Sequence, residues 1–156
     1  QHYFLRPIRP EDEGALVDMF RHSSPADVRL RFFAAIRGFD HAFAARLSQI
    51  DYDREIAFVA MPPGKKEIVG VVRLSADPDR ESAEFAIMVR SDMKGTGLGY
   101  RLMQRILDYA RDSGIRQVFA DVLRENRPML QMADELGFET QPMDEEADSV
   151  TVTLAL

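Results

Sequence analysis

A short apolar stretch bounded by prolines, "FLRPIRP", predicts a strand at the start of the chain. Apolar residues then recur at helical spacing through "EDEGALVDMFRH", "SSPADVRLRFFAAIRGF" and "HAFAARLSQI". The first of these segments carries its acids where the positive end of a helix favours them. In the second, Ser24 is placed as an N-cap with Pro25 at the first helical position, and Asp40 is placed to cap the third. From residue 55 the period becomes that of strands. The runs "EIAFVAM", "EIVGVVRLSA" and "ESAEFAIMV" are separated by "PPGKK" and "DPDR". Connections that short cannot hold a crossover, so an antiparallel meander is expected.

Beyond the meander, "GLGYRLMQRILDYARDSG" places Leu98, Leu102, Ile106 and Tyr109 or Ala110 on one helical face. It stops at Gly114, a residue suited to the left-handed turn that ends helices. "IRQVFADV" predicts a further strand. "ENRPMLQMADELGF" predicts a helix with Asn126 at its cap, Pro128 in its first turn and Gly137 past its end. A weak strand, the acidic loop "MDEEADS" and a last strand "VTVTLAL" complete the chain. The predicted order is strand, helices, three strands, helix, strand, helix, two strands, an α+β (α/β) arrangement in a single domain over residues 1–156.

Composition narrows the chemistry. No apolar run approaches the roughly 20 residues that span a bilayer, so no membrane partner is expected. The chain has no cysteine, which excludes disulfides, thiolate metal sites and a cysteine nucleophile, and fits the cytoplasm. A formal net charge of -6 argues against nonspecific nucleic-acid binding and leans toward a basic partner. His2, His22 and His41 show no metal-ligand spacing, so no metal is expected. The N-terminus has neither the apolar core nor the cleavage site of a secretory signal, and it lacks an initiator Met, which predicts a processed or excised piece.

One segment asks for a ligand. Gly95, Gly97 and Gly99 fall within five residues, between an apolar strand and an amphipathic helix. A tight strand-to-helix turn needs one such residue or two. Glycine lets the main chain touch a ligand, and a loop opening into a helix adds unpaired N–H groups and the positive end of the helix dipole, which suits phosphate or pyrophosphate. A P-loop is excluded because Lys94 precedes the glycines instead of following them. A dinucleotide fingerprint is excluded because Tyr100 and Leu102 stand where it requires glycine.

The segment resembles motif A of the GNAT superfamily of N-acyltransferases, [RQ]-x-x-G-x-[GA], here Lys94, Gly95, Thr96, Gly97, Leu98, Gly99. Its place between the third meander strand and the next helix fits that family, as do Asn126 and Gly137-Phe138 downstream. The resemblance covers essentially the whole chain. It implies a mostly antiparallel mixed sheet of six to seven strands with about four to five helices, and loop amides that bind the pyrophosphate of acetyl-CoA. It also implies that the main chain of Met88 and Val89 pairs with the pantetheine arm, and that Asn126 bonds the arm or a water. Lys94 stands for the usual arginine or glutamine, and its charge still favours phosphate. "RPIRPEDE", "RFF", "IDYDREIAFVA", "VRSDMKGTGLGYRLM" and "LRENRPML" together resemble the bacterial Pat-type protein lysine acetyltransferases. That narrower resemblance implies a lysine acceptor on AMP-forming acyl-CoA synthetases, and a GNAT domain that follows a large acyl-CoA-synthetase-like region.

Acetylating a lysine requires a neutral amine, yet a pKa of about 10.4 leaves few neutral molecules at pH 7. Glu84 is the expected general base, because a central strand apolar on both faces would bury it in part and raise its pKa. Glu81 is the competitor, closer to the turn. Ala133 falls where many GNAT enzymes have the tyrosine that protonates the leaving thiolate, and neither Tyr100 nor Tyr109 is assigned that role. A thiolate leaving group of pKa about 8.5 tolerates the loss. Direct attack in a ternary complex is expected, with a main-chain amide near Val89 stabilising the tetrahedral intermediate. Transfer to a small amine and a noncatalytic CoA-binding module are the alternatives.

Overall fold

A computed structural model of the chain describes residues 3–27, 55–141 and 148–156. Its strands are β1 (Phe4–Pro7), β2 (Glu55–Met61), β3 (Gly70–Ala76), β4 (Ser82–Val89), β5 (Gln117–Leu123), β6 (Glu139–Gln141) and β7 (Ser149–Ala155). The described α-helices are α1 (Glu13–Arg21), α2 (Leu98–Asp112) and α3 (Arg127–Glu135). The strands form one seven-stranded sheet of order β1-β2-β3-β4-β5-β7-β6. The antiparallel meander is present as β2-β3-β4, and β4-β5 is the one parallel pair among the described residues. A parallel pair needs a crossover, and α2 supplies it.

Ser24 caps a helical turn as expected, with its hydroxyl accepting from the amide of Asp27 at 3.1 Å, and Pro25 opens helical backbone. The helices expected beyond residue 27, the Asp40 cap and most of the acidic loop lie outside the described residues.

Each face of the sheet has its own core. On one face α2 buries Leu98, Leu102, Ile106 and Ala110, the predicted stripe, together with Met103 and Leu107. Burial of a leucine or isoleucine contributes about 1.5–3 kcal/mol, so this stripe holds the crossover onto the sheet. The helix lies so close to β3 that a Cβ on Gly70 would stand 2.8 Å from Cδ1 of Leu102. On the other face α1 packs Leu16, Val17 and Phe20 over Ala57, Val59, Val71 and Met88. Asp12 at the foot of α1 is the buried charge of this side, and it accepts from both Arg6 Nη atoms at 2.7–2.8 Å and from the Arg9 amide. Burial alone would push its carboxyl up, but these donors hold it below the ordinary range.

α2 and α3 end alike. Ile115 N–H donates to Ala110 O while Gly114 N–H donates to Arg111 O, and Phe138 and Gly137 do the same to Ala133 and Asp134. This paired closure turns the chain back and drives Ile115 and Phe138 into the core just before β5 and β6.

The sheet parts in its middle. β4 pairs with β5 only where Ser82–Glu84 faces Gln117–Phe119, although β4 runs on to Val89 and β5 to Leu123. Because Arg90 N–H donates to Val69 O, Val89 and Gly70 form a non-hydrogen-bonded pair. The main-chain groups of Ile87 and Val89 therefore point into the gap, while those of Met88 are turned to β3.

Candidate active site

A cavity of about 810 Å³ opens at the parting, within the usual size of a small-molecule site. The sheet register sorts its lining. On the α2 side stand apolar groups such as Ile87, Val89, Leu98, Ala120 and Val122, with the glycine loop at one end. On the α1 side stand Arg73, Ser75, Glu84 and Asp121, which alternate with buried neighbours along β3, β4 and β5.

The loop is held from below. Arg90 donates through Nε to Asp92 at 2.6 Å and through Nη1 to Glu67 at 3.2 Å, which pins the 3-10 turn Ser91–Met93. Gly95 and Gly97 take positive φ of 79° and 84°, conformations that other residues adopt at a cost. Gly97 is also the N-cap of α2, and no side chain caps that helix start. The N–H groups and dipole of the first turn are thus open to an anion. Gly99 differs from these two: its φ is not positive, and a Cβ there would meet Sδ of Met132 at 3.4 Å, an ordinary contact between α2 and α3.

Of the residues expected at the site, Glu84, Met88, Val89, Lys94, Gly95, Gly97, Leu98, Gly99 and Asn126 all line this cavity. Thr96 does not, and its hydroxyl donates to Met93 O at 2.7 Å. Three expectations are corrected. Glu84 is exposed, not partly buried, because β4 and β5 separate beyond it and α1 covers the far end of the face. Met88 buries its side chain under α1 and its main chain faces β3, so the open edge belongs to Ile87 and Val89. The Lys94 ammonium is bound to Asp27 at 2.5 Å instead of standing free for phosphate.

Asn126 caps α3, its Oδ1 accepting from Met129 N–H at 3.4 Å. Ala133 is buried in the core. Tyr100 donates to Glu135 at 2.6 Å, a bond that raises its pKa, and Tyr109 stacks edge-on to Phe58 away from the cavity. Burial lowers the Arg73 guanidinium to about 10 while Glu55 opposes the shift. The sequence reading missed Asp27, Arg73, Ser75 and Asp121. Strand alternation marks Asp121 as facing opposite to Ala120 and Val122, but only the register joins that face to Glu84.

The profile of the Acetyltransferase (GNAT) family matches residues 18–138. The chain belongs to the GNAT family. GNAT enzymes use acetyl-CoA, and the chain is an acyltransferase of that kind. It is 32% identical to the acetyltransferase PA5475 of Pseudomonas aeruginosa over 100% of its own length and 85% of that protein's. A 64-residue segment, 41% of the chain, is 36% identical to 37% of the L-amino acid N-acyltransferase MnaT of Escherichia coli. The GNAT domain of S. lividans PAT superposes with a TM-score of 0.88 at 25% identity, covering 97% of this chain and 89% of that one. The GNAT architecture expected from the sequence is therefore the one found. No described helix is long and apolar enough to cross a membrane. Among the described residues no group of three or more His, Cys, Asp or Glu could hold a metal.

Proposed function

We propose that the chain is an acetyl-CoA-dependent protein lysine N-ε-acetyltransferase acting on AMP-forming acyl-CoA synthetases. The near-complete superposition on the GNAT domain of S. lividans PAT carries this reading, and the sorting of the cavity by sheet face supports it. Acetyl-CoA supplies the acyl group as an activated thioester. The amides of Gly95 to Gly99 and the uncapped start of α2 hold its pyrophosphate. The gap-facing main chain of Ile87 and Val89 takes the pantetheine arm as a sheet takes an added strand.

Glu84 removes the proton of the acceptor amine, directly or through a water, from the face that also carries Asp121. Its exposure replaces burial as the reason for the assignment: an acceptor entering from solvent can reach it. The Val89 amide, which faces the gap between β4 and β5, stabilises the oxyanion of the tetrahedral intermediate. No cysteine is present to carry the acyl group, so transfer is direct. The thiolate needs little help from an acid, consistent with Ala133 at the position of the usual tyrosine. A cytoplasmic location and a single GNAT domain over residues 1–156 complete the proposal.

A small amine is the second reading, favoured by the segment shared with MnaT. Incubation with acetyl-CoA and an acyl-CoA synthetase, followed by mass spectrometric mapping of lysines, decides between them. One modified active-site lysine supports the proposal. Turnover of free amino acids with no modified protein replaces it by the second reading, and turnover of neither leaves a CoA-binding module.

A further inference from the structure

Lys94 opens the glycine loop, and its ammonium is already engaged. Asp27 accepts from Lys94 Nζ on one carboxylate oxygen and from Ser91 Oγ on the other, each at 2.5 Å. Ser91 Oγ in turn accepts from the amide of Ser24 at 2.9 Å, and Ser24 Oγ accepts from the amide of Asp27. The ring ties a helix start near residue 25 to a loop more than 60 residues away in the chain. These donors hold the Asp27 carboxyl below its ordinary range against the opposing effect of burial. Asp27 and Lys94 both line the cavity beside Gly95 and Gly97, and the Asp27 side chain is only 15% exposed. A carboxylate thus stands at the phosphate end of an anion site, where its charge opposes the ligand.

We infer that Asp27 competes with the donor's phosphates for the Lys94 ammonium and thereby sets donor affinity. In the free protein the pair contributes almost no net charge to the loop, so the amides alone attract the pyrophosphate. As a phosphate arrives, Lys94 exchanges its partner from carboxylate to phosphate, while Asp27 keeps Ser91. The affinity is lower than loop and lysine together could give, which favours release of the product. The inference rests on the donor site proposed above.

The test is calorimetric titration with CoA alone, on the whole chain, for Asp27→Asn, Lys94→Gln and the double variant. Competition predicts opposite signs. Asp27→Asn tightens CoA binding roughly threefold to tenfold by freeing the ammonium, and Lys94→Gln weakens it by a similar factor by baring the carboxylate. The double variant returns to within about twofold of wild type, because the two charges cancel. Weaker or unchanged binding by Asp27→Asn overturns the inference and makes the ring a structural brace of the loop. Circular dichroism checks the fold, and Asp27→Ser, which keeps a hydroxyl for Ser91, takes its place if Asp27→Asn unfolds. A wild-type chain that does not bind CoA at all removes the donor site itself, a result distinct from either outcome.

Discussion

The two sides of the parted sheet recognise by different means. Towards α2 the cavity offers apolar side chains, a bare main-chain edge and the glycine loop with the Lys94–Asp27 pair beside it, so what binds there is read by backbone and shape with one paired charge at the loop end. Towards α1 the same strands present Arg73, Ser75, Glu84 and Asp121, so whatever binds there is read by charge. One strand serves both, since alternation sends Ile87 and Val89 to the first side and Glu84 to the second. On the proposed function, donor chemistry can be constant while acceptor choice changes by substitution of a few side chains on one face. Perturbing one side should therefore leave the other side's binding constants in place.

The largest expected effect is that of Glu84→Gln, which lowers turnover about 10²-fold to 10³-fold near neutral pH while the CoA Kd stays within about twofold. Stopped-flow turnover paired with calorimetry reads both numbers, and unchanged turnover removes Glu84 as the base. Next is Gly97→Asp, which sets a carboxylate at the open start of α2. CoA affinity should fall on the order of 100-fold, with a stability cost of about 1–2 kcal/mol from the positive φ. A loss of stability with affinity intact would mean that the glycines serve only the turn.

Asp121→Asn ranks third. Its carboxylate is steadied by the Thr151 hydroxyl at 2.8 Å, and removing the charge should raise KM for a lysine acceptor about tenfold with the CoA Kd unchanged. An equal change in the CoA Kd would break the separation of the two sides. The smallest effect belongs to Asn126, which sits at a helix start facing the cavity. Loss of the cap in Asn126→Ala should cost about 1 kcal/mol in denaturant unfolding, and Asn126→Ser should restore it. If Asn126→Ser regains stability without regaining turnover, Asn126 serves the reaction as well as the helix.

Elements with strong local signals were legible in the sequence. The stripe Leu98, Leu102, Ile106 and Ala110, the closures at Gly114 and Gly137, and the meander all follow from period and turn chemistry. The turn at Gly95 and Gly97 was legible as well, because glycine takes a positive φ at little cost. The exposure of Glu84 was not, because it depends on where β4 stops pairing with β5, and no residue in either strand announces that point. Nor was the Lys94 partner: Asp27 lies 67 residues away and carries no local mark of its role. Sequence period reveals which face a residue joins, and the tertiary register decides what it meets there.

The open rungs at Ile87 and Val89 bear on how the enzyme would behave among cellular metabolites. A site that grips the arm through backbone and the pyrophosphate through amides holds parts of the donor that lie away from the acyl group. Free CoA keeps all of those parts after transfer, so on the proposed function it remains a good ligand and competes with the next substrate molecule. Turnover then follows the ratio of acetyl-CoA to CoA more than the amount of either, which would make acceptor acetylation a readout of how fully the cell's CoA pool is acylated.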